Sequence, residues 1–401
     1  MNKGNKLVLK RHYIFYKIVC PLFLAIQKKK YNIDVEEFHK KYGDQYLILM
    51  NHQTEGDQFF INMAFKGQIY FVASEDIFTN GIASKLLSYF LGPIPIKKNM
   101  TDLRAVKQCM RVIKEGGSIA LAPEGNRTYS GSTGYMNPAI SKLCKSLNVP
   151  VCLFRIEGGY GKYPRWADKV RSGNMHAKVV KVITSEECKS MTDEELLNEI
   201  HKYLDINECT DINSEFYSEN SAEYVERFLY TCPKCGFTTI KSDGQLITCT
   251  KCGKTAKYLK NKTLEGIDNK FEFSTLKEWY DYQENFVLKN DIEKNKPIFE
   301  DKVKYISVIP YRRKIVIDKN ALSKLYEDKI EINSNGKTFE MLFSDIITIS
   351  CVNKNKLNIY YKDDVYQLKG DKRFNPLKYM NFYYKKMHEL KGEIHDKFLG
   401  L

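Results

Sequence analysis

The sequence predicts an α/β domain preceded by a basic, apolar helix and followed by a small four-cysteine unit and a mostly β domain with a final helix. Three observations carry this. Apolar runs of strand length alternate with helical patterns from Tyr46 to Ile183, two Cys-x-x-Cys pairs lie at 232–235 and 249–252, and β-alternating runs fill the stretch after Val303.

With 401 residues, 43% of them hydrophobic, the chain is long enough for two or three domains and too apolar for wholesale disorder. Its formal charge is +14, and residues 1–41 alone hold ten Lys/Arg against three acids. Such a front end suits an anionic surface, either lipid headgroups or nucleic acid. Of eleven cysteines, four form the two pairs and seven are scattered singly, which points to a reducing compartment rather than a disulfide scaffold.

Residues 1–45 contain the apolar run Tyr13–Ile26, which Lys17 and Pro21 interrupt. The run is shorter than the roughly 20 residues that span hydrocarbon. We read it as an interfacial or re-entrant helix on a membrane surface, with an ordinary core helix as the alternative. A signal peptide would end in small residues, where this chain has Gln27-Lys28-Lys29-Lys30.

Residues 46–203 are expected to form the α/β domain, with strands in Tyr46–Met50 and in 69–73, 118–123, 149–156 and 176–183, and a largely parallel sheet. The stretch Asp205–Glu226 has no Lys or Arg and little apolar periodicity, so 204–227 reads as a linker. Residues 228–262 hold the cysteine pairs. A connector, 263–300, carries a helix over 274–290 with Trp279 packed on its apolar face. Over 301–395, several antiparallel strands precede a helix at Pro376–Leu390, a pattern that resembles a pleckstrin-homology or GRAM-like barrel and implies a second lipid-facing module.

The chemistry begins at Asn51–Phe59, NHQTEGDQF. Positions five apart in a helix differ by about 140° around the axis, so His52 and Asp57 cannot meet if the whole stretch is helical. The expectation is that the strand ends at Met50, Asn51 and His52 lie in a turn, and the helix starts at Thr54, whose T-x-x-D spacing to Asp57 matches a capping box. Further on come Gly92-Pro93-Ile94-Pro95-Ile96-Lys97-Lys98, a turn ending in cations, then Ala122-Pro123-Glu124-Gly125-Asn126-Arg127-Thr128 and Val149-Pro150-Val151.

Four blocks in this order resemble the glycerolipid acyltransferases of the 1-acyl-glycerol-3-phosphate acyltransferase (PlsC-type) family, over roughly residues 10–200. The resemblance implies an α/β acyltransferase domain in which His52 is the general base for the acceptor hydroxyl and Asp57 orients its imidazole. It implies an acceptor site made of Asn51, Lys97 or Lys98, Glu124, Gly125 and Arg127, with Arg127 suited to bidentate phosphate contacts. Asn51 or backbone N–H groups near Thr54 are the candidate oxyanion donors. The chain departs from the family pattern at Lys98, Ala122, Asn126 and Ser74-Glu75, which leaves the acceptor open. The basic-aromatic stretch Tyr160–Arg171 is expected either to line the phosphate or thioester side or to pack.

The pairs Cys232/Cys235 and Cys249/Cys252, thirteen residues apart and each followed by glycine, have zinc-ribbon spacing. Four thiolates leave no open coordination position, so the expected Zn²⁺ is structural. The resulting expectation is an O-acyltransferase on the cytoplasmic face of a membrane, peripheral or monotopic, using acyl-CoA or acyl carrier protein as donor and a lysophospholipid as acceptor. The sn-2 hydroxyl of 1-acyl-glycerol-3-phosphate is the first choice and another lysophospholipid the second. A catalytically inactive zinc-ribbon protein binding nucleic acid or protein is the remaining alternative, and nucleic acid is not an expected partner of the enzyme.

Overall fold

The computed structural model describes residues 6–39, 44–79, 81–97, 102–267, 270–290, 292–293, 295–309 and 312–392. The chain divides into two compact units: Met1–Pro164 with Ser172–Ser214, and Arg165–Arg171 with Glu215–Leu399.

In the first unit, seven strands form one sheet: β1 (Ile33–Val35), β2 (Leu47–Met50), β3 (Ile69–Ser74), β4 (Ile94–Ile96), β5 (Ser118–Leu121), β6 (Val151–Glu157) and β7 (Met175–Ile183), in the order β1-β7-β6-β2-β5-β3-β4. Every pairing is parallel except β6 with β7. The helices are α1 (Lys10–Tyr31), α2 (Asp57–Phe65), α3 (Ile82–Leu91), α4 (Leu103–Lys114), α5 (Ala139–Leu147), α6 (Gly159–Lys162), α7 (Ser185–Ser190) and α8 (Asp193–Leu204). β2 shows why its sequence is continuously apolar: Leu47, Ile48 and Leu49 have no exposed surface, because helices cover both faces of a parallel sheet. Thr184 and Thr192 start α7 and α8 as capping boxes with Glu187 and Glu195.

The second unit begins with the hairpin β8 (Thr231–Cys232) and β9 (Gly236–Phe237). A four-stranded antiparallel sheet follows: β10 (Ile240–Asp243), β11 (Leu246–Cys249), β12 (Thr255–Tyr258) and β13 (Leu264–Gly266). After α9 (Leu276–Lys289) come β14 (Phe299–Ile309), β15 (Arg313–Leu325), β16 (Lys329–Ser334), β17 (Lys337–Leu342), β18 (Ile346–Val352), β19 (Lys356–Tyr361) and β20 (Asp364–Lys369). These seven are antiparallel in the order β17-β16-β15-β14-β20-β19-β18, and α10 (Leu377–Lys391) closes the unit. Trp279 packs as expected: it is buried and its indole N–H donates to the Thr231 carbonyl at 3.0 Å.

Three expectations are corrected. The sheet starts at β1, before residue 46; a three-residue strand is too short to show periodicity. The 204–227 stretch is not a free linker: the division between units falls at Ser214/Glu215, and Phe216, Ala222 and Val225 are buried. Their irregular spacing among acidic residues hides that burial from a periodicity reading. Helix α2 starts at Asp57 behind Gly56, not at Thr54. The Thr54 hydroxyl accepts the Gly56 N–H at 3.0 Å and donates to Asp57 at 2.7 Å, so it shapes a turn before the helix instead of capping it.

Candidate active site

β2 lies between its parallel neighbours β5 and β6, so the segments leaving their C-terminal ends emerge at one edge of the sheet. These are 51–57 after β2, 122–128 after β5 and 158–163 after β6.

Because the 52–56 turn is not helical, positions five apart can meet. His52 Nδ1 lies 2.8 Å from Asp57 Oδ2. Asp57 has no exposed surface, and its carboxylate also accepts the N–H of Gln53 (2.8 Å), the N–H of Thr54 (2.9 Å) and the Thr54 hydroxyl. Four donors on one carboxylate fix its orientation. With Nδ1–H given to Asp57, the imidazole keeps a lone pair at Nε2, and the 27% exposure of the His52 side chain leaves it reachable.

Two buried carboxyl groups brace the neighbouring loops. Glu124 Oε1 accepts the His52 N–H at 2.8 Å and its Oε2 accepts the Gly134 N–H at 2.7 Å, while the Thr128 N–H donates to the His52 carbonyl at 3.0 Å. Burial pushes the Glu124 carboxyl up to about 8; the two N–H donors pull the other way, and the charges of Asp57 and Asp205 add to the rise. Glu208, which no motif reading picked out, accepts the N–H groups of Gly159 (2.9 Å) and Gly161 (3.1 Å) and so secures the third loop. Gly159 sits directly on the His52 turn: a Cβ there would lie 2.5 Å from the Gln53 Cβ.

The other predicted residues divide. Gly125 has φ +67°, as a turn closed by its N–H to the Ala122 carbonyl requires. The Arg127 guanidinium lies 5.9 Å from the Tyr163 ring centroid. Lys97 is exposed and its N–H donates to Asp102; Lys98 lies outside the described residues. Asn51 is buried with both ends of its amide on the Ile156 backbone at 2.8 Å, extending the β2–β6 pairing past the strand. The N–H groups of Gln53, Thr54 and Gly56 are likewise engaged within the turn. Gln53 itself was missed: it has no exposed surface and neither end of its amide has a partner among the described residues.

In the Tyr160–Arg171 stretch the packing alternative prevails for Arg165, Trp166 and Arg171, all buried and all part of the second unit. The Arg171 guanidinium lies 4.9 Å from the Trp166 ring and 5.1 Å from that of Tyr258. A basic-aromatic sequence serves stacking as readily as ligand binding. Tyr163 stays beside Arg127.

In the second unit, the Sγ atoms of Cys232, Cys235, Cys249 and Cys252 all lie within 4.8 Å of one another. The pairs Cys232–Cys252 and Cys235–Cys249 are 3.7 and 4.0 Å apart, near the ~3.8 Å that tetrahedral thiolates on a ~2.3 Å metal bond imply. Burial opposes ionisation of Cys249, yet the N–H groups of Cys252 and Lys251 and the Thr238 hydroxyl bring its thiol down to about 7. The donor set fits a metal ion.

Comparison with known proteins bears on the first unit. The family model described as Acyltransferase matches residues 31–156, a span that takes in the His52–Asp57 turn, Glu124 and Arg127. The chain carries an acyltransferase-family domain. A relative of this domain is the chloroplastic 1-acyl-sn-glycerol-3-phosphate acyltransferase BAT2 of Brassica napus, 24% identical over 152 residues, which are 37% of this chain and 43% of that protein. The chain thus matches less than half the length of that relative. Among solved structures, the 1-acyl-sn-glycerophosphate (LPA) acyltransferase PlsC from Thermotoga maritima aligns at 19% identity with a TM-score of 0.40, covering 47% of this chain and 77% of that one. The matched span lies within the first unit, and the cysteine cluster and the C-terminal strands lie outside it.

Proposed function

We propose that this protein acylates the sn-2 hydroxyl of 1-acyl-glycerol-3-phosphate, using a fatty acyl thioester of CoA or acyl carrier protein. The observation that carries the reading is the His52–Asp57 pair at 2.8 Å, buried on the Asp57 side and open on the imidazole side. The acceptor hydroxyl gives its proton to His52 Nε2 as its oxygen attacks the thioester carbonyl. The tetrahedral intermediate then collapses: the carbon–sulfur bond breaks and the departing sulfur takes the proton from the imidazolium. Asp57 supports the cation formed between these steps. Arg127 holds the acceptor phosphate, with Lys97 and Lys98 as a further cationic arm.

The helix face outside the sheet supports a membrane-surface position. On α1, Ile14, Ile18, Leu22 and Ile26 are 53%, 71%, 72% and 55% exposed at every fourth position; on α3, Ile82 and Leu86 are 76% and 52% exposed. Phe15 of α1 stacks on Phe90 of α3 at 4.7 Å, so the two helices pack side by side. Exposed apolar residues along α1, ending in Lys28, Lys29 and Lys30, suit an anionic bilayer interface. Among the described residues no helix is long and apolar enough to cross a membrane. In the second unit, Cys232, Cys235, Cys249 and Cys252 would hold a Zn²⁺ ion, which supplies structural cross-linking and no chemistry to acyl transfer.

The test is thioester-dependent acylation of lysophosphatidic acid, followed by product analysis. Activity should fall by about 10²- to 10⁴-fold in His52→Ala. Full activity in that variant would refute the mechanism, and a scan of lyso-acceptors with one acyl-CoA decides the headgroup.

A further inference from the structure

The last turn of α1 brings two side chains to the active-site turn that no motif selects. Lys30 Nζ lies 5.0 Å from the Tyr31 ring centroid and 5.6 Å from that of Tyr163, the ring that the Arg127 guanidinium approaches at 5.9 Å. The rings of Tyr31 and Tyr163 are themselves neighbours, 6.4 Å between centroids. Two cations are thus gathered around one pair of phenols. Glu55, inside the His52–Asp57 turn, offsets part of that charge from 3.6 Å, with the Lys30 and Glu55 side chains 41% and 50% exposed. So open a pair is weak and yields to a stronger anion.

Tyr31 is an independent observation. It has no exposed surface, and it lies so close to Gly56 that a Cβ there would come within 2.8 Å of its ring. Its hydroxyl nevertheless finds no hydrogen-bond partner among the described residues. A buried polar group left so is destabilising, a cost that fold stability gives no reason to retain. Burial, with the charges of Glu55 and Asp57, holds the phenol protonated, and Arg127 is near enough to pull the other way. A protonated phenol with Lys30 and Arg127 nearby is an unused donor that an anion can take up.

We propose that Lys30, Tyr31 and Arg127 form one cradle for a phosphate monoester, which makes the end of α1 part of the acceptor site. The identification of that monoester as the lysophosphatidate headgroup rests on the function proposed above. A dianionic phosphate displaces Glu55 from Lys30, takes bidentate contacts from Arg127 and accepts the Tyr31 O–H. A phosphodiester headgroup carries one charge fewer, so the cradle selects lysophosphatidate over lysophospholipids with larger headgroups.

Calorimetric titration of the full chain with a soluble short-chain 1-acyl-glycerol 3-phosphate tests this without requiring turnover. Lys30→Ala and Tyr31→Phe should each weaken binding about tenfold, with Lys30→Arg restoring most of it. Tyr31→Phe should melt at the wild-type temperature or above, since it removes only an unpaired buried group. Affinity for CoA, the other source of a phosphate monoester, should be unchanged in all three. Wild-type affinity in both Lys30→Ala and Tyr31→Phe, failure of the wild type to bind, or a loss confined to CoA would overturn the cradle. Acyl transfer is read separately: Lys30-dependent binding without transfer would refute the proposed function and leave the cradle standing.

Discussion

Glu124 Oε1 accepts the backbone N–H of His52 at 2.8 Å, and the other oxygen of the same carboxylate accepts Gly134 N–H at 2.7 Å. A residue that the family resemblance sets among substrate contacts thereby ties the loop after β5 to the residue proposed as base. The Thr128 N–H, returning to the His52 carbonyl at 3.0 Å, completes the clasp. The imidazole is positioned from both directions, by Asp57 through the ring and by the 124–128 loop through the backbone.

The structural role of Asp57 and the chemical role proposed for it are separable. Asp57→Asn keeps the shape but turns an amide toward a set of four donors, His52 Nδ1, Gln53 N–H, Thr54 N–H and the Thr54 hydroxyl. It should lose about 1–3 kcal/mol of stability by denaturant titration, together with at least about 10²-fold in kcat. His52→Ala, at a partly exposed site, should lose comparable activity with little change in the unfolding midpoint. Wild-type kcat in a destabilised Asp57→Asn would mean that Asp57 is no more than a turn residue.

Glu124 predicts a pH dependence of stability. Its carboxyl is raised from 4.5 to about 8 in the fold, chiefly by burial. A raised folded pKa means that the folded state holds the proton more tightly. The stabilisation is fully present below the unfolded value and is lost as pH rises through about 8. Between those limits this one group contributes a downward slope of at most about 1.4 kcal/mol per pH unit. Unfolding midpoints across that window should decline more steeply for the wild type than for Glu124→Gln, which cannot titrate. Parallel curves would show that the two N–H donors outweigh burial.

Much of the fold is legible because buried parallel strands read as short apolar runs, as β2, β3, β5 and β6 do, while β7 alternates apolar residues with His176, Lys178 and Lys181. β1 and β4 escape a sequence reading, since three residues carry no period and their partners are distant. At the site, the block residues His52, Asp57, Glu124 and Arg127 come from local sequence, whereas what surrounds them does not. Glu208 bonds to a loop far away in sequence, and Lys30 and Tyr31 look like the end of a basic helix until Tyr163 is placed beside them. Arg165 and Arg171 err the other way: charged on paper, they are buried against aromatic rings and a backbone carbonyl of the second unit.

The cysteine cluster predicts a metal stoichiometry. The purified chain should contain one Zn²⁺, lost in Cys232→Ser/Cys249→Ser, the two buried ligands. Metal removal should lower the melting transition of the second unit, because tetrathiolate binding is folding energy for so small a sheet. Acyl transfer should persist wherever the protein stays folded, as four thiolates leave no position for a substrate. Metal-free protein with four reduced thiols and an unchanged melting curve would show that the cysteines serve packing alone.

The exposed face of α1 and α3 predicts vesicle binding with a defined dependence on side chain and salt. Ile18 and Leu22 are 71% and 72% exposed on the same side of α1, so replacing them costs the folded chain little, within about 0.5 kcal/mol. Inserted into the acyl boundary, each is worth roughly 1.5–3 kcal/mol. Ile18→Asp/Leu22→Asp should therefore reduce partition onto anionic vesicles by about 100-fold or more while melting like the wild type. Raising the salt concentration should weaken wild-type binding only in part, because Lys28, Lys29 and Lys30 contribute a screened term of about 1 kcal/mol each and the apolar face an unscreened one. The variant should still acylate a detergent-dispersed acceptor and fail on the same acceptor held in vesicles. That split separates a docking surface from a catalytic one; wild-type sedimentation of the variant with vesicles would assign the face to some other contact.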